Sequence, residues 1–161
     1  MLAPLQAKAT VVACHPKEAS TDCRRPVLSN KTISVLKPLM TLRNQQASDE
    51  FYADGRWRGE SPVSNEVERR FNQILSDHSK SGDEAIAYLL TVYMGEAPGE
   101  ELVCEATNRG RKILPLIRRY SKCQPLVGAE PLNQYVGRPS TLPAQVIRAI
   151  EAGQKCGWEK R

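Results

Sequence analysis

The sequence predicts a small all-α domain, a single bundle of four or five short helices behind a flexible N-terminal leader. Three observations lead to this prediction. Apolar residues recur with a helical period from Val67 onward, residues 64–123 have the pattern of consecutive amphipathic helices, and residues 1–47 show no such period. The apolar faces of consecutive helices can be buried only against one another, so we expect one shared core.

Residues 1–48 are predicted to be a disordered or poorly packed basic leader, and residues 49–158 to be the helical domain. The leader contains four prolines and holds seven basic against two acidic residues, whereas the rest of the chain holds sixteen of each. The leader therefore carries the whole net charge of +5. A basic arm can contact nucleic acid or an acidic membrane surface. A solvated tail without a partner is the alternative.

An aromatic segment with the sequence FYADGRWRG follows the leader, at residues 51–59. A tight turn is favoured at its centre because Gly55 tolerates a positive φ, so the segment is either a small hairpin or an irregular loop. We expect its aromatic side chains to cover the helical core. An aromatic ring beside arginines can also stack on a nucleotide base, which makes Arg56, Trp57 and Arg58 possible contact residues for a ligand.

Two helices are predicted in the first half of the domain. The first spans about Glu66 to Ser79, and Asn65 with Glu68 has the spacing of a capping box. The second spans about Glu84 to Met94, with Asp83 as its N-cap. This second helix is apolar on nearly all sides, which is typical of a helix buried by several neighbours. We therefore place it at the centre of the fold.

The next helical segment, which starts near Pro98, contains a break. Gly110 is a predicted C-cap or kink, and Pro115 is unfavourable in a helix interior. Two short helices with a turn near residues 108–111 explain both features, and a single helix bent at Pro115 is the alternative. The remaining elements are a Pro- and Gly-rich loop over 124–140 and a last helix from about Pro143 to Ala152.

The clearest functional candidate within the domain is a basic face between residues 111 and 122. At 100° per residue its cationic side chains lie on one side of a helix and its apolar side chains on the other. We predict that this face binds a protein partner with an acidic surface. Pairing with the upstream Glu96, Glu100, Glu101 and Glu105 would instead leave a neutral, solvated face. The predicted partner-binding residues are Arg109, Arg111, Lys112, Arg118, Arg119 and Lys122.

The sequence contains no motif for catalysis, metal binding or cofactor binding. It has neither a phosphate-binding glycine loop nor a nucleophile elbow. Its two histidines, His15 in the leader and His78 at a predicted helix end, are poorly placed to activate a nucleophile. We therefore predict a non-catalytic protein without cofactor or metal, a small helical protein–protein interaction module of the adaptor or inhibitor type. The alternative is a nucleic-acid-binding protein that uses the leader and the Arg111–Lys122 face.

The cellular location follows from the apolar segments and the cysteines. No segment is long and apolar enough to span a bilayer, and the first residues lack a secretory signal, so we expect a cytoplasmic protein. An odd count of five cysteines argues against a complete disulfide framework, and we expect reduced thiols. A different true start, or a bond between Cys104 and Cys123 after a chain reversal near Gly110, would favour export instead. The oligomeric state is left open.

Overall fold

The structure is a computed structural model that describes residues 26–92, 99–123, 125 and 141–156. Within these residues it contains six α-helices, one 3-10 helix and no strand, which confirms the all-α class. Five of the α-helices occupy the predicted segments, and the first one is additional. The elements are α1 (Asn30–Glu50), α2 (Ser64–Ser76), α3 (Lys80–Val92), α4 (Gly99–Arg109), the 3-10 helix (Gly110–Ile113), α5 (Leu114–Lys122) and α6 (Leu142–Glu151).

Helix α1 corrects the prediction of a poorly packed leader. The side chain of Ser29 accepts a hydrogen bond from the amide of Thr32 at 3.2 Å and caps the start of the helix. Leu36 and Leu39 are fully buried and belong to the common core. The boundary predicted at residue 48 therefore falls inside a packed helix, and the domain includes the described part of the leader. Residues 1–25 lie outside the described residues.

Helix α3 is at the centre of the fold, as predicted. All residues from Ser81 to Leu90 are buried, and the helix packs on each of the other five α-helices. It begins earlier than expected, at Lys80, where the amide of Gly82 donates to the hydroxyl of Ser79 at 3.4 Å. The prediction of Asp83 as N-cap is therefore wrong. Asp83 lies within the helix, which directs its carboxylate toward α4.

The close approach of the first turn of α3 to the residue after α2 requires a glycine. A Cβ atom at Gly82 would lie 1.9 Å from the carbonyl oxygen of Asp77, so a larger residue would force the two segments apart. The capping box predicted for α2 is also wrong, because the helix begins earlier than expected. The helix begins at Ser64, with no side-chain cap on its first turn, so Asn65 already lies inside it.

The break between α4 and α5 is confirmed. Gly110 adopts a φ of 71°, a left-handed conformation that glycine takes without strain, and it is the first residue of the 3-10 helix. Pro115 then falls in the first turn of α5, where its missing amide breaks no helical hydrogen bond. The alternative of one helix bent at Pro115 is wrong.

Helix α6 is the last helix that the structure describes. Val146 and Ile150 are buried, and the helix packs on α3, α4 and α5. Thr141 is the N-cap residue of this helix and makes no side-chain capping bond. The predicted loop over 124–140 lies outside the described residues except for Pro125, which is buried. None of the described helices is both long and apolar enough to cross a membrane.

Candidate interaction surface

The predicted basic face is present, but the structure divides its residues among three environments. Ile113, Leu114, Ile117 and Tyr120 point into the core, so the cationic side chains of α5 lie on the outside as expected. Arg109 lies in the interior, and Lys112 and Arg118 form ion pairs at the surface. Arg111 and Arg119 are exposed and make no ion pair within the described residues. The exposed members are Arg111, Lys112, Arg118, Arg119 and Lys122.

Arg109 is not a surface residue, which corrects its assignment to the partner-binding face. Only 1% of its side chain is exposed. One terminal nitrogen lies 2.7 Å from the Asp83 carboxylate and 2.6 Å from the carbonyl oxygen of Asp77. The other donates to the carbonyl of Leu75 at 3.0 Å, and Nε lies 3.2 Å from Glu105. The guanidinium therefore ties α4 to α3 and to the end of α2.

Lys112 and Arg118 of the basic face are paired with acids. Lys112 Nζ lies 3.4 Å from the carboxylate of Asp83, and Arg118 forms an ion pair with Glu151 of α6. The partners are not the upstream glutamates considered from the sequence; of those, Glu105 pairs with Arg109, and Glu96 lies outside the described residues. The basic face is thus partly neutralised.

The aromatic segment forms a small hairpin between α1 and α2, which we call the hairpin (residues 51–58). Phe51 and Trp57 form an antiparallel bridge, and the amide of Tyr52 donates to the carbonyl of Arg56 at 2.8 Å. The turn closes through the amide of Gly55, which donates to the carbonyl of Tyr52 at 2.9 Å. Gly55 has a φ of 86°, as expected for a glycine that completes a short hairpin turn.

The base of the hairpin is fixed to the two helices that flank it. The amide of Arg58 donates to the carbonyl of Glu50, the last residue of α1, at 2.6 Å. The hydroxyl of Ser61 donates to the carboxylate of Asp49 at 2.7 Å and so connects the end of α1 to the start of the α2 segment. Because α1 and α2 also pack on each other, the hairpin projects from a rigid support.

The aromatic side chains of the hairpin point outward, which corrects the expectation that they cover the core. Trp57 is 59% exposed, and Phe51 and Tyr52 are each 47% exposed. Phe51 and Trp57 make an edge-to-face contact with ring centroids 5.4 Å apart. The guanidinium groups of Arg56 and Arg58 lie 4.9 and 5.1 Å from the centre of the Tyr52 ring. The hairpin therefore presents a preformed aromatic and cationic surface to solvent.

Arg56 and Arg58 differ in how their charge is compensated. Arg56 Nε lies 2.6 Å from the carboxylate of Asp54, in an exposed pair. Arg58 makes no ion pair with any of the described residues. Its guanidinium carbon lies 5.1 Å from the centre of the Tyr52 ring, and its N–H groups can donate to a carboxylate of another molecule.

No protein-family model, no curated protein and no solved structure matches the chain. The assignment of a site therefore depends on geometry and chemistry. In the described part of the chain, no three His, Cys, Asp or Glu side chains converge in a way that could hold a metal ion. His78 is mainly exposed, with Nε2 3.7 Å from the carboxylate of Glu105.

Shifted pKa values mark several local interactions outside the hairpin. Hydrogen bonds from Arg69 lower the pKa of Glu66 to about 2 on the exposed side of α2. Hydrogen bonds from Ser79 lower the pKa of Asp77, whose carboxylate accepts from the Ser79 amide at 2.9 Å. Burial raises the pKa of Tyr120 to about 12. Each of these shifts has a structural cause, because it arises from helix contacts or from the core.

The sequence did not predict the disulfide bonding that the structure contains. Cys104 of α4 is bonded to Cys156, and Cys123 is disulfide-bonded as well. The expectation of reduced thiols is wrong for these three residues. So is the idea of a Cys104–Cys123 bond. Gly153 is the sequence signal for the Cys104–Cys156 bond, because the chain reverses there after α6 and brings Cys156 back to α4.

Proposed function

We propose that this chain is a non-catalytic interaction module that binds a protein partner with an acidic surface, and that the hairpin is the centre of contact. The observation that carries the proposal is the outward display of Phe51, Tyr52 and Trp57 from a support held by hydrogen bonds. Exposed large aromatic side chains that are fixed in place lose little conformational entropy on binding.

The residue types of the hairpin also support this choice. Tryptophan, tyrosine and arginine are the residues most enriched among the energetic hot spots of protein interfaces. The stacked guanidinium of Arg58 can form two parallel hydrogen bonds to one carboxylate of a partner. Asp54 already pairs with Arg56, so Arg58 is the cation that an acidic partner would meet first.

The basic face contributes less to this proposal than the sequence suggested. Arg109 is buried, and Lys112 and Arg118 are paired, so Arg111 and Arg119 are the exposed cations with no ion pair within the described residues. These two arginines can still raise the rate of association, because exposed charges steer encounters more than they add affinity.

The proposal is tested with the full chain as bait and three variants. Proteins captured by the wild type are quantified by mass spectrometry and compared with those captured by Trp57→Ser, Arg58→Glu and the matched control Arg119→Glu. We expect an acidic protein that the first two variants lose and the control retains. Direct titration should then show at least about 30-fold weaker binding for Trp57→Ser, the effect of a hot-spot residue worth about 2 kcal/mol.

The outcome that contradicts the proposal is equal capture by all three variants. Loss of capture by Arg119→Glu alone would return the contact to the basic face. The nucleic-acid alternative is tested by titrating a single-stranded oligonucleotide at several salt concentrations. Saturable binding that weakens linearly with the logarithm of salt concentration would support it, because phosphate contacts release counterions. A dimer that Trp57→Ser converts to monomer would identify a second copy of the chain as the partner.

A further inference from the structure

The last described residues of the chain turn back onto α4. Gly153 has a φ of 68°, and its amide donates to the carbonyl of Ile150 at 3.0 Å. The amide of Gln154 donates to the carbonyl of Ala149 at 2.9 Å. This is a left-handed helix C-cap, which ends α6 and reverses the chain direction. We call residues 153–156 the C-terminal clasp.

Two kinds of bond hold the clasp on α4. The side-chain oxygen of Asn108 accepts a hydrogen bond from the amide of Cys156 at 2.8 Å, and the Asn108 amide group faces the Cys156 carbonyl at 3.5 Å. One helical turn earlier on α4, Cys104 forms the disulfide with Cys156, and their Cα atoms are 5.2 Å apart. This separation is within the usual range for a disulfide.

The burial of the two sulfurs determines how the disulfide reacts. In thiol–disulfide exchange a thiolate attacks one sulfur, and the other sulfur leaves as a thiolate. Cys104 is only 4% exposed, so an attacking thiolate can reach only Cys156. The leaving group is then the Cys104 thiolate, and its buried surroundings disfavour a negative charge. Both effects slow the reduction of the folded protein.

We propose that the chain folds in an oxidising compartment, where the Cys104–Cys156 disulfide forms as a permanent structural cross-link. In the forming step the two thiols lose two protons and two electrons, and a disulfide-bonded oxidant takes up both the protons and the electrons and becomes a dithiol. Such bonds persist in oxidising compartments and are rare where cytosolic thiols keep proteins reduced. Cys123 is an independent observation in the same direction, because it too is disulfide-bonded and is buried.

The first test maps the disulfide in the full chain. The protein is exported to an oxidising compartment of an expression host, purified without reductant, alkylated with iodoacetamide and digested with trypsin. We expect the peptide of residues 81–109 to be linked to the peptide of residues 156–160. Alkylated Cys104 and Cys156 in this material would overturn the proposal.

The second test measures how fast dithiothreitol reduces this bond. We expect the linked peptides to persist at least about 100-fold longer in the folded protein than in guanidinium chloride, because reduction must wait for local opening. Asn108→Ala keeps both cysteines but removes the hydrogen bonds to the clasp, so it should shorten this lifetime. Equal rates in the folded and unfolded protein would mean that the bond is a freely reversible one and would overturn the permanent role.

A third measurement addresses stability. Cys156→Ser removes a bond that closes a loop with a sequence separation of 52 residues. We expect the Tm to fall by about 10 °C, whereas the neighbouring exposed control Gln154→Ser should leave it unchanged. An unchanged Tm for Cys156→Ser would show that the cross-link has no structural role. None of these readouts depends on a binding partner, so their failure is separate from that of the interaction proposal.

Discussion

The molecule places arginine in two opposite surroundings, the buried site of Arg109 and the exposed hairpin that carries Arg56 and Arg58. Arg109 is enclosed by two carboxylates and two carbonyl oxygens, and these use its hydrogen-bonding capacity inside the protein. The hairpin arginines instead lie over an exposed tyrosine, and their only ion pair within the described residues is the exposed one between Arg56 and Asp54. The comparison teaches that the neighbours of a cation, and not its place in a basic stretch of sequence, decide whether it can meet a partner.

The two surroundings also have different energetic consequences. A buried charge is costly to desolvate, so an intact internal ion pair adds little net stability, but removal of one member leaves the others uncompensated. An exposed cation is screened by water and contributes little to folding. Substitutions at Arg109 should therefore change stability, and substitutions in the hairpin should change binding.

The first prediction concerns Arg109→Met, which keeps the length of the side chain and removes the charge. Asp83 and Glu105 would remain partly buried without their shared cation, and two carbonyl oxygens would lose a donor. We expect the free energy of unfolding in urea to fall by about 3–5 kcal/mol. The matched control is Arg119→Met on the exposed side of α5, which should change it by less than about 0.5 kcal/mol.

A more conservative substitution keeps the test informative if Arg109→Met does not fold. Arg109→Lys retains one charge but cannot reach the same set of acceptors, so its stability should lie between the wild type and Arg109→Met. Equal stability of Arg109→Met and Arg119→Met would contradict the interior role assigned to this residue and would restore it to the basic face.

The second prediction tests whether α1 is a part of the domain. Leu36 is fully buried in the common core, so Leu36→Ala should reduce the free energy of unfolding by about 2–4 kcal/mol through lost burial and a cavity. Val27→Ala is the control, because Val27 is 88% exposed and should contribute almost nothing. If both variants unfold at the wild-type urea concentration, α1 is dispensable and the predicted boundary near residue 48 is correct after all.

The third prediction is a dependence of stability on alkaline pH. Burial raises the pKa of Tyr120 from 10.0 in the unfolded chain to about 12 in the folded protein. Its contribution is therefore fully present below pH 10 and is lost as pH rises from 10 toward 12, because only the unfolded state ionises there. The loss cannot exceed about 1.4 kcal/mol per pH unit for one group.

The measurement is the difference in unfolding free energy between the wild type and Tyr120→Phe at pH 8 to 11.5. The unfolding free energies of the two proteins should change in parallel up to pH 10. Above pH 10 the wild type alone should lose the additional stability that comes from the neutral Tyr120 side chain. A constant difference across the range would mean that Tyr120 titrates equally in both states.

The sequence predicted most of the fold because most helices are amphipathic in the usual way. The apolar run around Tyr88 identified the central helix, and Gly110 with Pro115 identified the break between α4 and α5. Helix α1 was missed because it contains Pro38 and a mixed pattern of apolar and polar residues, so its few inward positions did not stand out. Leu36 and Leu39 are core residues only because other helices pack over them, and the sequence of α1 alone does not show this.

The candidate site was predicted less well than the fold, for a physical reason. Sequence shows which residues are charged or aromatic, but pairing and burial depend on contacts between distant elements. Arg109 is paired with Asp83 of the preceding helix, and Arg118 with Glu151 of the last one. The aromatic segment posed the reverse problem: composition favoured burial, whereas the short hairpin holds its rings above the surface.

The last and smallest prediction concerns the shape of the hairpin. Gly55 has a φ of 86°, and a Cβ atom there would meet no other atom within 4 Å, so the cost of a side chain is confined to the backbone. Gly55→Ala should lower the free energy of unfolding by about 1 kcal/mol, whereas Gly55→Asn should lower it by less, because asparagine tolerates the left-handed conformation. Partner binding should fall for the alanine variant and recover for the asparagine variant. If the alanine variant binds as the wild type does, the partner recognises the side chains without the turn, and the rigid display proposed for the hairpin is wrong.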